Sequence, residues 1–258
     1  MKVGDFDQDT VALRQRLKSH NRFGSRDLNE WIFKLLDVSA GLFILDLGCG
    51  TGNQALPLAQ AVGPRGKIIA VDISSEALKD LQRQSMEMGL RDRIAPICIG
   101  FDNLDGNLKP ATMDRVVASY SLYYADDALN LFRVVKCALK KGGIFFGCGP
   151  ALDNNSDFIS FYYGNVKHGP LPQPSKVGKF MEFTAPNLLR ELFGNVEIYR
   201  FENPMRFDSA EALIAYWSSH NLYERQLENA FREAVEQHFR LHNEFQITKK
   251  AVGLRAIL

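Results

Sequence analysis

A glycine-rich loop is the part of this 258-residue sequence with the clearest chemical meaning. The stretch ILDLGCGTGNQALPLA places Gly48, Gly50 and Gly52 at every second position directly after an apolar run. Glycine allows the positive φ of a tight turn, and it lets a ligand approach the backbone because no Cβ stands in the way. The spacing predicts a strand-to-helix turn beside a bound small molecule, although a structural turn without a ligand has the same sequence pattern.

Two carboxylates and the glycine spacing narrow the kind of ligand. Asp46 lies just before the loop, where a carboxylate repels a pyrophosphate and attracts a cation. Asp72 follows the next apolar run and can accept two hydrogen bonds from ribose hydroxyls. Asn53 replaces the third glycine of the dinucleotide fingerprint, and no phosphate-loop lysine follows. The pattern therefore favours a nucleoside with a cationic tail that lacks phosphate.

The elements that must position these residues alternate between strands and helices. Apolar runs predict strands at 42–48, 67–73, 93–100, 113–121 and 143–149, and helical patterns predict helices at 53–62, 74–89 and 126–143. Strand, helix and strand at this spacing predict an open α/β sheet of parallel strands. A ligand in such a sheet lies beyond the carboxyl ends of the strands, which is where the glycine loop falls.

The rest of the chain predicts one domain in four parts. Two N-terminal helices occupy 1–40, the second of them starting at a cap on Ser25, and the ligand-binding core occupies 41–150. After Pro150, Asn, Pro, Gly and aromatic residues accumulate and predict a lid over 151–183. The C-terminal half, 184–258, predicts a helix at 185–194, a strand at 195–204, a helical insertion over about 208–241 and a final strand or hairpin at 244–258. The insertion has one apolar side, which suits either a cap or a dimer face.

Charge and cysteine content argue against several classes of protein. With 31 basic and 30 acidic residues, the chain has no electrostatic signature for nucleic acid or an anionic membrane. No apolar run approaches the roughly 20 residues needed to span a bilayer, and the first ten residues lack a signal-peptide core. The four cysteines lie far apart without a C-x-x-C pair, which favours buried free thiols over disulfides or metal ligands. We expect a cytoplasmic protein.

Three motifs resemble those of the class I S-adenosylmethionine-dependent methyltransferases. LFILDLGCGTGNQAL is similar to their motif I, IIAVDIS to their second motif, and LKKGGIFF to the LKPGG segment before the fifth strand. The resemblance covers about residues 25–150 and points to the small-molecule group with domains of type 11 or 25. It implies a Rossmann-like, doubly wound, seven-stranded sheet with an antiparallel last strand, N-terminal helices and a helical cap.

The resemblance also implies a set of cofactor contacts. Asp46 would orient the loop and the methionine amino group, Asp72 would bind the ribose hydroxyls, and Ile73 would pack on the adenine. Either Phe101 or Asp102 occupies the usual acidic position near the adenine amino group. The full set of cofactor residues implied by the resemblance is Asp46, Gly48, Cys49, Gly50, Asn53, Asp72, Ile73, Phe101, Asp102, Ser119 and Tyr120, and Cys49 has no catalytic role in it.

Residues that act on the methyl acceptor are harder to identify. Methyl transfer from a sulfonium is an in-line displacement that depends on alignment and the exclusion of water, and a base is needed only if the acceptor loses a proton. Candidate catalytic residues are Tyr124 and His168, and candidate substrate contacts are Tyr123, Tyr162 and Tyr163. Each also fits a packing role or, for His168, a solvated loop. Asn21, Arg22 and Phe23 are candidates for closing over the cofactor, as the N-terminal helices of this family often do.

Two further features have structural interpretations. Asp114 matches the start of strand four in the family, where the aspartate is structural. His238 and His242 lie four apart on a predicted helix, but without the glutamate of the zinc-protease motif they favour packing over a metal site.

The leading hypothesis is an enzyme that moves a methyl group from S-adenosylmethionine to O or N of a small organic acceptor and leaves S-adenosylhomocysteine. One alternative is a nicotinamide-dependent oxidoreductase on the same fold, and another is an S-adenosylmethionine-binding protein without catalysis. The absence of an Asp-Pro-Pro-Tyr motif after strand four argues against amino-methyltransferases that act on DNA bases or glutamine. A homodimer remains open as the assembly.

Overall fold

A seven-stranded sheet forms the centre of the computed structural model, which describes residues 22–258. The strands are β1 Phe43–Leu47, β2 Lys67–Asp72, β3 Ile94–Cys98, β4 Met113–Ser119, β5 Leu139–Pro150, β6 Val196–Phe207 and β7 Phe245–Ile257. Their order is β3-β2-β1-β4-β5-β7-β6; β1 to β5 pair in parallel, and β7 runs antiparallel to β5 and β6. This confirms the predicted doubly wound α/β fold with an antiparallel last strand.

Helices connect the strands and cover the sheet. They are α1 Leu28–Leu36, α2 Ala55–Ala61, α3 Ser75–Glu87, α4 Ala128–Ala138, α5 Ser156–Tyr162, α6 Lys176–Lys179, α7 Ala185–Phe193, α8 Ala210–Ser218 and α9 Glu228–Leu241. Side-chain oxygens of Asp27, Ser74, Asp127, Ser175 and Ser209 cap five of their first turns. These caps satisfy backbone N–H groups that have no partner within the helix. The sequence-predicted cap at Ser25 was therefore wrong by two residues, because Asp27 provides it.

The structure corrects two further element predictions. The helix expected to reach residue 143 ends at Ala138, because Leu139 already pairs with Met113 in the sheet. The helical insertion is two helices, α8 and α9, separated by a turn. That turn is held by the bond from Leu222 N–H to His220 Nδ1 and by the bond from Trp217 Nε1–H to the Leu222 carbonyl. The first predicted N-terminal helix lies outside the described residues.

All four cysteines are free thiols, but only Cys49 and Cys148 are buried. The prediction of burial was wrong for Cys98 and Cys137, which are exposed. Cys98 is the last residue of β3, the strand at one edge of the sheet. Cys137 lies near the end of α4, on its solvent-exposed side.

Two apolar layers lie on opposite faces of the sheet. Helices α4 and α7 form the core on one face, and α1, α2 and α3 form the core on the other. In β5, Phe145 points into the first layer and Phe146 into the second, as alternation along a strand requires.

A third apolar cluster forms a cap beyond the sheet. β5 ends where Pro150 faces Ala251, whereas β6 and β7 stay paired as far as Phe207 and Phe245. The six additional residue pairs extend the two strands by about 20 Å. Helices α5, α8 and α9 pack on this extension, and the buried residues that form the centre of the cap are Phe158, Tyr162, Tyr216, Trp217 and Phe231.

A segment that we call the strap, residues 168–175, connects the cap to the core layer that contains α4 and α7. Val166, just before the strap, is buried in the cap, whereas Met181 and Ala185, after it, belong to the core with α4 and α7. Just after the strap, Gly178 of α6 packs against Leu152, two residues beyond the end of β5. All eight residues of the strap are exposed. π-helical turns at 163–167 and 180–184 lie on either side of it.

Candidate functional site

The three loop glycines have two different roles. Gly48 and Gly52 have φ values of 72° and 95°, and an added Cβ would lie 2.3 Å from Ser121 Cβ and 2.4 Å from Leu81 Cδ1, respectively. Gly50 has φ 52° but faces open space, with no atom within 4 Å of the Cβ position. The outer glycines thus permit close packing, whereas Gly50 leaves a free backbone surface that a ligand can approach.

Asp72 fixes the loop against the end of β2. Its Oδ2 accepts the Gly50 N–H at 2.7 Å, and its Oδ1 accepts the Ser74 N–H at 2.8 Å. The N–H groups of Gly48 and Cys49 also donate to the Val71 carbonyl. A carboxylate oxygen can accept more than one hydrogen bond, so Asp72 retains acceptor capacity toward a ribose.

Asp46 is a buried carboxyl group with only part of its hydrogen-bonding capacity used. It is 1% exposed and its Oδ2 has no partner, while the nearby Ala55 N–H acts to lower its pKa. Burial and the neighbouring Asp72 charge raise the pKa of Asp46 to about 7. Burying an unpaired carboxylate is costly, so the site is suited to a positive ligand group that can reach this oxygen.

Cys49 lies beside these two acids in the loop. Burial, Asp46 and Asp72 all raise the pKa of its thiol far above the ordinary value. A protonated thiol is a poor nucleophile, so the environment of Cys49 does not suit covalent catalysis.

An open apolar surface lies next to the loop at the ends of β2 and β3. The Ile73 side chain is 69% exposed, and it borders Gly100. Phe101 is half-buried and its Cζ lies 3.5 Å from the Gly48 Cβ position, whereas Asp102 is exposed in the short 3-10 turn Phe101–Asn103. Ile73 and Phe101 therefore provide apolar surface on which a planar ring can pack, and Asp102 provides a nearby acceptor.

The end of β4 contributes a third group of residues. Tyr120 has φ 58° and is 37% exposed, an uncommon conformation for a non-glycine residue and one that is enriched at functional sites. Ser119 Oγ accepts a hydrogen bond from the Cys148 thiol. The buried Ser121 Oγ donates to the Leu47 carbonyl at 2.6 Å and thereby locks the end of β4 to β1. Sequence reasoning missed Ser121, whose only sequence signal is its place directly after the strand.

The candidate acceptor residues separate into two groups. Tyr123 and Tyr124 lie in the 3-10 turn after β4, with ring centroids 4.7 Å apart. Tyr162 is fully buried in the cap, and its hydroxyl donates to Glu224 Oε1 at 2.9 Å. Tyr163 packs edge-on against Tyr162, so it also belongs with the cap.

His168 and the N-terminal candidates lie with the strap and the cap. His168 is exposed at the start of the strap, with φ 48°. Phe23 packs against Phe207 of the cap at 4.7 Å, and Arg22 lies over the Phe23 ring. Asn21 is outside the described residues.

Asp114 lies at the amino ends of the strands, remote from the glycine loop. Its Oδ2 accepts the Phe43 N–H at 2.8 Å, and its Oδ1 pairs with Lys140 at 2.7 Å. These contacts tie β1 and the start of β5 to β4, as expected for a structural residue.

These features define a Rossmann-like α/β domain with an open glycine loop at the carboxyl edge of its sheet, and comparison with known proteins shows what it is similar to. Residues 44–143 match the family model described as a methyltransferase domain. The matched segment contains the glycine loop and strands β1 to β4, and it is similar to methyltransferase domains. Among the described residues, no helix is long and apolar enough to cross a membrane.

Two curated relatives and one solved structure illustrate the relationship. The chain is 27% identical to the aklanonic acid methyltransferase DauC of Streptomyces sp. (strain C5), over 53% of this chain and 62% of that protein. It is 47% identical to a demethylmenaquinone methyltransferase of Lactobacillus johnsonii, over 45% of this chain and 48% of that protein. The match thus spans less than two thirds of either relative. A SAM-dependent methyltransferase from Aquifex aeolicus shares the fold, with a TM-score of 0.58 at 12% identity and 99% coverage of both chains.

Proposed function

We propose that this protein is an enzyme that transfers a methyl group from S-adenosylmethionine to O or N of a small organic acceptor. The observation that carries the proposal is the unpartnered, buried Asp46 Oδ2 beside the open backbone of Gly50. That pair suits a cationic ligand without phosphate, which argues against a nicotinamide dinucleotide. The two curated relatives are named as methyltransferases of aklanonic acid and of demethylmenaquinone. Both names support a small organic acceptor.

The residues present fit the cofactor. Asp46 would bind the positively charged amino group of the methionine part, Asp72 the ribose hydroxyls, and Ile73 and Phe101 the adenine. When bound, S-adenosylmethionine supplies a methyl carbon activated by the sulfonium: the acceptor forms a bond to that carbon as the carbon–sulfur bond breaks, and the electron pair neutralises the sulfur. Tyr120 and Ser119 would face the sulfur from the end of β4.

The chain's contribution to the reaction is mainly orientation and the exclusion of water. We propose Tyr124 and His168 as candidate groups that take the acceptor's proton, and Tyr123 and Tyr163 as acceptor contacts. Tyr162 would shape the acceptor pocket through the cap, because its ring is buried there and its hydroxyl is bonded to Glu224. We further propose that residues 1–258 form one domain, and that the enzyme is cytoplasmic, has no nucleic-acid partner and can form a homodimer.

Calorimetric titration with S-adenosylhomocysteine, with NAD as the competing ligand, tests the cofactor assignment. We expect micromolar binding of S-adenosylhomocysteine and none of NAD. Gly50→Ala should abolish detectable binding, because the new Cβ fills the open surface that the ligand approaches. Gly89→Ala is the matched control, since Gly89 also has a positive φ and open space at its Cβ position but lies at the end of α3.

Three results would contradict the proposal. Binding of NAD in place of S-adenosylhomocysteine would mean that the glycine spacing belongs to an oxidoreductase. Equal loss of binding in Gly50→Ala and Gly89→Ala would mean that backbone strain, and not the filled surface at Gly50, causes the loss. Binding without turnover across quinol, phenol and amine acceptors, demethylmenaquinone and aklanonic acid included, would indicate a binding protein without catalysis.

A further inference from the structure

Asn29, near the start of α1, is tied to the residues that follow the glycine loop. Its Nδ2 donates to the Asn53 carbonyl at 3.0 Å, and its Oδ1 accepts from Gln54 Nε2 at 3.0 Å. Both ends of one side-chain amide thus contact two consecutive residues of another element. Gln54 is 6% exposed, so this contact is shielded from water on the Gln54 side.

The helix that follows has an unusual start. Gln54 immediately precedes α2, but its side chain makes no capping bond to the helix because its amide is bonded to Asn29. The first N–H of the helix, from Ala55, lies near Asp46 and acts to lower the pKa of that carboxyl group. The start of α2 therefore adjoins a carboxylate of the candidate ligand site.

Asn29 is itself held rigidly. Asp27 caps α1 by accepting the Asn29 N–H at 2.6 Å. One turn further, Trp31 packs between Phe146 of β5 and Phe201 of β6, at ring centroid distances of 5.3 and 5.1 Å. A short amide on a helix fixed in this way can hold the residues it contacts with little freedom of its own.

We propose that Asn29 is a positioning residue for cofactor binding: by holding Asn53 and Gln54 it places the Ala55 N–H near Asp46, and so sets how well Asp46 binds the cofactor's positive amino group. This inference rests on the proposed function. Asn29 itself does not have to touch the cofactor.

The groups around Asp46 allow its ionisation to be followed. The charged neighbour is Asp72 at the end of β2, and the thiols of Cys49 and Cys148 also face it. Burial and Asp72 raise the pKa of Asp46, and the Ala55 N–H opposes them. Moving that N–H away favours the protonated acid, which binds a positive group less well.

The test is the affinity for S-adenosylhomocysteine between about pH 5.5 and 8.5, for the full chain and the Asn29→Ala variant. We expect Asn29→Ala to weaken binding about tenfold near pH 7, as loss of one or two hydrogen bonds predicts. The pH at which binding is half-maximal should also move upward. Gln54→Ala should have a similar effect, and the double variant should lose little more, because the two residues act as one unit.

Asn203→Ala is the matched control. Asn203 is a buried asparagine that contacts the N-terminal segment, since its Oδ1 accepts the N–H groups of Ser25 and Arg26 at 2.9 and 3.0 Å. Its variant should bind S-adenosylhomocysteine within twofold of the unmodified protein, with an unchanged pH dependence.

Several outcomes would overturn the inference. Unchanged affinity and pH dependence in Asn29→Ala would show that the contact does not position the site. Equal weakening in Asn29→Ala and Asn203→Ala, with no shift in pH dependence, would assign the effect to the N-terminal segment as a whole. If the unmodified protein does not bind S-adenosylhomocysteine, the proposed function is overturned as well. If it binds but the variants give either of the results above, only the role of Asn29 is overturned.

Discussion

The two sides of the proposed site are built in different ways. On the cofactor side, short stretches after β1, β2 and β3 supply the loop, Asp72 and Phe101, and backbone N–H groups hold them together. On the acceptor side, Tyr124 follows β4, Tyr163 comes from the cap, and the exposed strap carries His168. A ligand shared by a large family suits the rigid side, whereas an acceptor that differs between enzymes suits loops on a rigid support.

The largest effect is expected from Gly48→Ala, on the rigid side. The new Cβ would lie 2.3 Å from Ser121 Cβ, and Ser121 is held by its bond to the Leu47 carbonyl. Overpacking together with a positive φ should lower the free energy of unfolding by about 2–5 kcal/mol, measured by urea denaturation.

The double variant Gly48→Ala, Ser121→Gly separates the two causes. Removing the Ser121 Cβ should restore part of the loss, because it removes the steric clash and leaves only the φ cost. If the double variant is no more stable than Gly48→Ala, the close contact between the two residues is not the cause.

An effect of intermediate size is expected from a change of pH, because the ionisation of Asp46 alters the free energy of unfolding. Its pKa is raised to about 7 from 3.8, so the folded protein binds more protons than the unfolded chain between about pH 4 and 7. The contribution of Asp46 to stability is therefore greatest at low pH, falls as the pH rises through this window, and is constant above it.

Cofactor binding should show the opposite pH dependence. A positive ligand group favours ionised Asp46, so affinity for S-adenosylhomocysteine should rise between pH 5.5 and 7.5. Below neutral pH, Asp46 should lose close to one proton when the ligand binds. Calorimetry in buffers of different ionisation enthalpy measures this proton release. Asp46→Asn should bind more weakly and release none; proton release that persists in this variant would point to another group.

The smallest effect on cofactor binding is expected on the acceptor side, in the strap. His168→Ala and Leu171→Ser change exposed residues, and Leu171 is 59% exposed. Both variants should bind S-adenosylhomocysteine within twofold of the unmodified protein and unfold at the same urea concentration. A loss of cofactor affinity as large as that of Gly50→Ala would mean that the strap belongs to the cofactor side.

Much of the cofactor side could be predicted because its signals are local. Gly48, Gly50, Gly52 and Asp72 lie in stretches where strand, turn and helix follow each other within a few residues, and parallel strands bring these turns to one edge. The sequence could not separate the glycines by role, because the packing of Gly48 depends on Ser121, more than 70 positions away.

The acceptor side could not be predicted to the same extent. Tyr162, Tyr163 and His168 are similar in sequence character, yet the fold buries the first in the cap and leaves the last exposed. Burial there depends on which faces of α5, α8 and α9 meet the extended β6 and β7 pair. Asn29 was missed for the same reason, since its partners Asn53 and Gln54 come from another element.

The sequence by itself determined the class of fold, the glycine turn and the acids near it, because hydrophobic periodicity and glycine spacing act over short distances. The tertiary structure alone decided that Gly50 faces open space, that Asp46 keeps a buried oxygen without a partner, and that Asn29 reaches the start of α2. These are properties of contacts between distant segments. They depend on the packing of the whole domain, which no local pattern specifies.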